Sequence, residues 1–197
     1  MRLFIALPLP QKAEQFLGNI IEDLRQKEQK VGKVKWVDSK NIHLTMKFLG
    51  ETDENKIEDI STAIKKTAGK HSSVNCTINK INGFPNLNRP RIIWAGLENE
   101  NNDDNLIKLE NIASDIDTEM SQLGFEKENR KFKSHLTLGR VKDNKDLHNL
   151  TKYLESLKIQ PEDLLFDKIV LFKSTLTPKG AIYERLYESD LGGFVFE

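Results

Sequence analysis

His43-Leu44-Thr45-Met46 and His135-Leu136-Thr137-Leu138 are two copies of one tetrapeptide pattern in a chain that has only 4 histidines. Apolar and polar residues alternate through both copies, which is the period-2 pattern of a half-buried strand. On such a strand the histidine and the threonine two residues later project from one face, while the leucines enter the core. Each copy therefore presents an imidazole beside a hydroxyl, and two such pairs facing each other would hold a phosphate.

The surroundings of the two copies also repeat. Residues 2–7 form a compact apolar run that is similar to residues 91–97, and a helical pattern follows each run before the histidine strand. We expect an α+β fold in one domain, 1–197, with an internal duplication of about 1–88 and 89–197. Two pseudo-symmetric lobes of antiparallel sheet with helices outside would place the active-site groove between the histidine strands. Residues 164–172 and 182–188 are predicted as closing strands, and residues 98–105 as a solvated, charged stretch.

Composition restricts the possible partners. Lys plus Arg and Asp plus Glu both total 30, so the chain has no global basic field that would attract long nucleic acid. The single Cys76 cannot form an intramolecular disulfide and is expected to be inert core. No apolar run reaches the roughly 20 residues of a membrane-spanning helix, and Pro8 comes too early for a signal sequence. We expect a cytoplasmic protein without membrane contact or an obligate protein partner.

Two facing imidazoles can supply an acid and a base in one cleft. Free imidazole titrates near neutral pH, so one ring can be protonated while the other is neutral. Cleavage of a phosphodiester needs both, and such help is worth roughly 10²–10⁴-fold in rate. The hydroxyls of Thr45 and Thr137 could donate to the non-bridging oxygens as charge develops. The sequence has no His-Glu-x-x-His motif and no Walker loop, and we expect neither a metal nor a cofactor.

These motifs carry a resemblance to a known family. The paired His-x-Thr motifs, the opening residues 2–7 and the run 90–97 resemble the two-histidine phosphoesterase superfamily, and within it the bacterial and archaeal RNA 2′,3′-cyclic phosphodiesterases, formerly called 2′-5′ RNA ligases. The resemblance implies metal-independent hydrolysis of a 2′,3′-cyclic phosphate, on RNA 3′ ends or small cyclic nucleotides, to a 2′-phosphomonoester. It also implies that His43 is the proton donor to the 3′ oxygen and His135 the proton acceptor that activates water. The residues alone leave these roles interchangeable.

Four further residues are candidates for substrate binding. Arg140 could bind phosphate bidentately or form a surface salt bridge, and Arg91 could contact the RNA backbone. By strand parity, Lys47 shares the polar face with His43, where it would meet phosphate or solvent. The same parity favours core packing for Phe48, with base stacking as the alternative.

Other residues have simpler expected roles. Trp36 and Trp94 lie on apolar strands and are expected in the core. His71 and His148 have no evident partners in the sequence.

Three rival functions remain open at this stage. The motifs specify a phosphate and not its substituents, so the substrate could be a non-RNA cyclic phosphate. The physiological direction could be 2′-5′ ligation, although hydrolysis of a strained ring should dominate in water. The chain could also be a non-catalytic nucleotide-binding module, but such a module has no need of two titratable imidazoles.

Overall fold

The computed structural model describes residues 1–98, 104–178 and 180–192, so residues 99–103 of the charged stretch lie outside the described residues. Nine strands and four α-helices form in the described part of the chain. The strands are β1 (Arg2–Pro8), β2 (Val34–Trp36), β3 (His43–Glu51), β4 (Val74–Phe84), β5 (Ile92–Glu98), β6 (His135–Val141), β7 (Glu162–Phe166), β8 (Lys168–Thr177) and β9 (Gly180–Asp190). The helices are α1 (Gln11–Gln26), α2 (Ile57–Ala68), α3 (Asp104–Gln122) and α4 (His148–Ser156). No helix within the described ranges is both long enough and apolar enough to cross a membrane.

The strands form two antiparallel sheets, which confirms the predicted bilobal α+β fold. One sheet has the order β3-β1-β8-β9 and the other β2-β6-β5-β4-β7. One strand pair is equivalent in the two sheets. Strand β1 pairs with the first histidine strand, and β5 pairs with the second. Each sheet, however, takes strands from both halves of the chain. Strand β4 pairs with β5, and β8 pairs with β1.

A single apolar core joins both sheets to the helices. Alternate residues of β1, Leu3, Ile5 and Leu7, are buried in it. Each helix contributes one apolar side, for example through Leu17, Ile60, Ile112 and Leu150. The opposite face of β1 instead forms a small separate cluster with β8, made of Phe4, Ala6, Val170 and Phe172. That face carries His43, so the sheet leaves an aromatic surface open to the groove.

The prediction of one continuous strand over 164–172 was wrong. The chain leaves strand geometry at Asp167, and the residues on either side belong to different sheets. The carbonyl of Asp167 accepts a hydrogen bond from the backbone N–H of Leu191 at 2.7 Å. The chain therefore passes from one sheet to the other within a single apolar run. Hydrophobic periodicity cannot detect this change, because the segments on both sides of it are buried.

Bulges in the histidine strands change which residues face the groove. Across from β1, the register of β3 passes from Thr45 to Lys47 and from Lys47 to Phe48, leaving out Met46. A bulge adds a residue to one strand and reverses the alternation beyond it. Lys47 is consequently buried opposite Ile5, and Phe48 is 63% exposed. Both predictions from parity, Lys47 on the polar face and Phe48 in the core, were wrong for this reason.

Strand β6 has a bulge at the corresponding position. Its pairing with β5 passes from Thr137 to Gly139 and leaves out Leu138. Gly139 is buried, as Lys47 is, and Arg140 is exposed, as Phe48 is. Beyond its bulge, each histidine strand therefore presents one exposed side chain, which is Phe48 in one lobe and Arg140 in the other.

Candidate active site

The two histidine strands lie against each other where the sheets meet. Within each strand the histidine and the following threonine are partly accessible, while the leucine between them is fully buried. The sequence thus correctly predicts which residues of each motif enter the core. His43 with Thr45 and His135 with Thr137 therefore lie on two strands that contact each other.

Both imidazoles are held by the same hydrogen bond. Nδ1 of His43 lies 2.8 Å from the carbonyl oxygen of Asn41, and Nδ1 of His135 lies 2.8 Å from that of Lys133. A carbonyl oxygen can only accept, so each Nδ1 must carry the hydrogen. In the neutral ring the lone pair is then on Nε2, and in the charged ring Nε2 also carries a proton. Each Nε2 can therefore accept or donate one proton without a change of tautomer.

Aromatic rings surround His43. Its ring centroid lies 4.7 Å from that of Phe4, 5.3 Å from that of Tyr183 and 6.0 Å from that of Phe172. Burial among these rings, with a smaller effect from the positive charge of Arg140, lowers the pKa of His43 to about 4, although the Asn41 carbonyl opposes the change. In the free protein His43 is therefore neutral at neutral pH.

His135 lies beside a second aromatic pair. Phe84 and Trp94 stack with centroids 4.7 Å apart, and their rings contact His135 edge-on at 5.5 Å and 6.4 Å. The ammonium of Lys133 lies 5.5 Å from the Phe84 ring centre. Trp94 is partly buried and packs against Phe84 and His135 instead of the apolar core, so its predicted place in the core was wrong. Trp36 does pack against the core, as predicted.

The two predicted arginines have different positions. Arg140 is exposed on the groove face of β6, and its charge acts on both His43 and Tyr183 of the other sheet. Its positive charge therefore acts across the boundary between the two sheets. Arg91 is exposed just before β5, and its carbonyl accepts from the backbone N–H of Val141 at 2.9 Å. RNA contact by Arg91 remains a prediction.

Lys47 has an internal role instead of facing the groove. Its ammonium lies 2.5 Å from Oδ1 of Asp117 on α3 and donates to the carbonyl of Glu126 at 2.7 Å. The same Asp117 oxygen accepts from the backbone N–H of Glu128 at 3.0 Å. This network, in which Lys47 is buried and Asp117 is partly exposed, joins β3 to the segment that leads toward His135.

Other candidates lie away from the groove. His71, expected to have no partner, donates from Nε2 to Asp115 at 2.8 Å, which a sequence cannot reveal because the two are far apart in the chain. His148 is exposed at the start of α4. Cys76 is buried, as predicted, and burial raises the pKa of its thiol to about 12. Among the described residues no three His, Cys, Asp or Glu side chains cluster in a way that could hold a metal ion.

Several groove residues were not identified from the sequence. Tyr183 and Arg185 alternate on β9, and with Phe172 and Glu14 they line a pocket of about 100 Å³ beside His43. The sequence does contain a signal, because an aromatic residue and a cation alternate along 182–188. That pattern could not show that this strand lies beside β8, because the pairing of strands is set by tertiary contacts.

Known proteins match this chain along nearly its whole length. The family model for LigT-like phosphoesterases matches residues 7–94 and 102–183, and each segment contains one histidine motif. The RNA 2′,3′-cyclic phosphodiesterase of Thermotoga maritima is 35% identical over 98% of this chain and 97% of its own length. The protein of the same name from Methanocaldococcus jannaschii is 35% identical over 95% of this chain and 99% of its own length.

Solved structures share the fold. A protein from Thermus thermophilus superposes with a TM-score of 0.74 at 24% identity, over 98% of this chain and 99% of that one. Escherichia coli LigT in complex with 3′-AMP superposes with a TM-score of 0.67 at 23% identity, over 96% and 97% of the two chains. As the paired motifs predict, this chain belongs to the LigT-like phosphoesterase family.

Proposed function

We propose that this protein hydrolyses RNA 2′,3′-cyclic phosphate termini to 2′-phosphomonoesters, with His43 as general acid, His135 as general base and no metal ion. The main support is the matched geometry of the two rings. Each Nδ1 is committed to a carbonyl at 2.8 Å, which leaves each Nε2 for proton transfer in the groove. The names of the two relatives that are 35% identical support the choice of substrate.

The reaction requires one proton to leave and another to arrive. Nε2 of neutral His135 takes a proton from water, and the water oxygen bonds to phosphorus opposite the 3′ oxygen. The bond from phosphorus to the 3′ oxygen breaks, and Nε2 of charged His43 gives that oxygen its proton. The product carries a 2′-phosphate and a 3′-hydroxyl. Hydroxyls of Thr45 and Thr137, with the Arg140 guanidinium, would stabilise the negative charge on the non-bridging oxygens.

The electrostatics of His43 suit a donor that is charged only when substrate is present. Its pKa of about 4 keeps it neutral in the free groove, partly because of Arg140. A bound phosphodiester places a negative charge between the two groups, which offsets the arginine and favours the imidazolium. His43 would thus take up a proton as substrate binds. An imidazolium held in an apolar setting then gives up that proton readily to the departing oxygen.

The test is hydrolysis of an RNA oligonucleotide that ends in a 2′,3′-cyclic phosphate, with and without EDTA. The wild type should make the 2′-phosphate at the same rate in EDTA. His43→Ala and His135→Ala should each lose at least about 10²-fold in kcat. His148→Ala, an exposed histidine outside the groove, is the matched control and should keep full activity.

Other outcomes contradict the proposal in distinct ways. A 3′-phosphate product would mean that the opposite ester bond is cleaved. Loss in EDTA that a divalent ion restores would overturn the metal-free reaction. Binding of AMP without turnover of any cyclic phosphate would indicate a nucleotide-binding module.

A further inference from the structure

A pocket at one end of the groove has no role in the reaction as described. Its volume is about 100 Å³, and it lies where α1 and the turn before β3 meet the groove face of β8 and β9. Its lining beside His43 includes Glu14, Lys40, Phe172, Tyr183 and Arg185, and we call it the Glu14 pocket.

The Glu14 pocket combines flat apolar surfaces with charges of both signs. Phe172 is only 7% exposed, and the half-buried Tyr183 ring lies 6.4 Å from it, so the wall is aromatic. The Arg185 guanidinium lies 6.0 Å from the Phe172 ring centre. Burial raises the pKa of the partly buried Glu14, the charges of Arg185 and Lys40 oppose that rise, and the charge of Asp38 adds to it, so charges of both signs act on its carboxylate.

This combination argues against two simple ligands. A second phosphate would gain from Lys40 and Arg185 but would be repelled by Glu14. A purely apolar group would cover the partly buried Glu14 carboxylate without offering it a hydrogen bond, which is costly. A nucleobase has a flat face for aromatic stacking and an edge with both donors and acceptors, so it can satisfy the whole set.

We propose that the Glu14 pocket binds the base of the terminal nucleotide and selects guanine; this inference rests on the proposed function. The N1–H and N2–H groups of guanine are adjacent donors that match the two oxygens of a carboxylate. Its O6 and N7 atoms accept, and they suit Lys40 and Arg185. In adenine and cytosine the amino group stands next to a ring acceptor, and in uracil N3–H stands between two carbonyls. Each of these arrangements places an acceptor against the Glu14 carboxylate.

The same placement is consistent with the role proposed for His43. A base in the Glu14 pocket brings its ribose to the His43 side of the phosphate. The 3′ oxygen that leaves would then be near Nε2 of His43, and water would approach from the His135 side. The pocket and the acid therefore belong to the same half of the groove.

The experiment compares the four nucleoside 2′,3′-cyclic phosphates as substrates and the four nucleoside 2′-monophosphates as ligands. Wild type should favour guanine over uracil by roughly 10- to 100-fold in kcat/KM and in Kd, the factor expected for hydrogen bonds to a charged group. Glu14→Gln should reduce this ratio about tenfold, because an amide presents an N–H group to one of the guanine donors. Glu22→Gln is the matched control, since Glu22 is exposed on the same helix and pairs with Arg25 outside the pocket.

The two readouts separate failure of this inference from failure of the proposed function. Turnover of all four cyclic phosphates without a guanine preference would overturn the inference and leave the hydrolase intact. A guanine preference that survives in Glu14→Gln, or a preference for another base, would also overturn it. Selective binding of the guanosine 2′-monophosphate without turnover would support the pocket and contradict the hydrolase.

Discussion

The two histidines of the groove share a local backbone and differ in what surrounds them. Each Nδ1 donates to a carbonyl two residues earlier. Three aromatic rings and the charge of Arg140 bear on His43, whereas Phe84 and Trp94 meet His135 edge-on. The repeat in the sequence predicts the shared part. The difference comes from strands elsewhere in the chain, which is why the residues of the motifs alone leave acid and base interchangeable.

The lowered pKa of His43 predicts a specific dependence of stability on pH. In the unfolded chain this ring takes up a proton as the pH falls through about 6.5, but the folded protein resists protonation until about pH 4. Stability contributed by neutral His43 is therefore complete above about pH 6.5 and is lost between that value and pH 4. Between about pH 7 and pH 5 the loss should be about 2 kcal/mol.

This dependence can be measured by urea unfolding across the pH range. Between about pH 7 and pH 5 the free energy of unfolding of His43→Gln should fall by about 2 kcal/mol less than that of the wild type. His148→Gln should match the wild type. Equal slopes for wild type and His43→Gln would contradict the electrostatic account of this residue.

Lys47 should contribute to stability through its ion pair with the partly exposed Asp117. Lys47→Met leaves Asp117 with a side chain only 21% exposed and without its cation, so we expect a loss of roughly 2–4 kcal/mol in the free energy of unfolding. Adding Asp117→Asn should cost less than the sum of the single changes, because the residual charge is removed. Lys30→Met, at an exposed surface pair with Asp146, should change stability by less than about 0.5 kcal/mol. Strict additivity would show that Lys47 and Asp117 act independently.

At the scale of elements, the period-2 pattern predicts the histidine strands but not their bulges. Leu44 and Leu136 enter the core and His43 and His135 do not, as alternation requires. Beyond Met46 the pattern fails, because a bulge depends on pairing with β1, a strand remote in sequence. The positions of Lys47, Phe48 and Arg140 on the strand faces follow from these bulges and could not be read from local sequence.

Gly139 allows β2 to pack closely against the bulged strand β6. A Cβ atom at this position would lie 2.7 Å from Cγ1 of Val34 and 2.9 Å from the Trp36 ring, and both side chains are stiff. Gly139→Ala should therefore destabilise the protein by roughly 1–3 kcal/mol by displacing β2. Thermal unfolding would measure the loss, and a second change, Val34→Ala, should recover part of it. No recovery in the double variant would mean that the clash with Val34 is not the cause.

At the scale of the whole molecule, the exchange of strands makes the lobes interdependent. The first sheet needs β8 beside β1, and the second needs β4 beside β5. The repeat in the sequence predicts two related lobes, which the sheets confirm. It could not predict the exchange, because the apolar patterns of β4 and β8 fit either sheet. For the same reason Phe4, Phe172 and Tyr183, from three strands of one sheet, were not identified around His43.

We propose that the division at about residue 88 separates the two copies of the internal duplication but does not separate two units that fold independently. Expressed alone, residues 1–88 and 89–197 would each leave a central strand without a neighbour and an apolar face exposed. Neither half should show a cooperative unfolding transition, whereas the full chain should show one. Independent cooperative folding of either half would contradict this view of the fold.

The central claim is that His43 protonates the departing 3′ oxygen while His135 activates water. The most direct measurement uses a nucleoside 2′,3′-cyclic phosphate in which sulfur replaces that oxygen. A thiolate departs without protonation, because a thiol is a much stronger acid than an alcohol. On this substrate His43→Ala should regain most of the wild-type rate, and His135→Ala should remain at least about 10²-fold slower. Equal impairment of the two variants, or rescue of His135→Ala instead, would contradict the assignment of the two histidines.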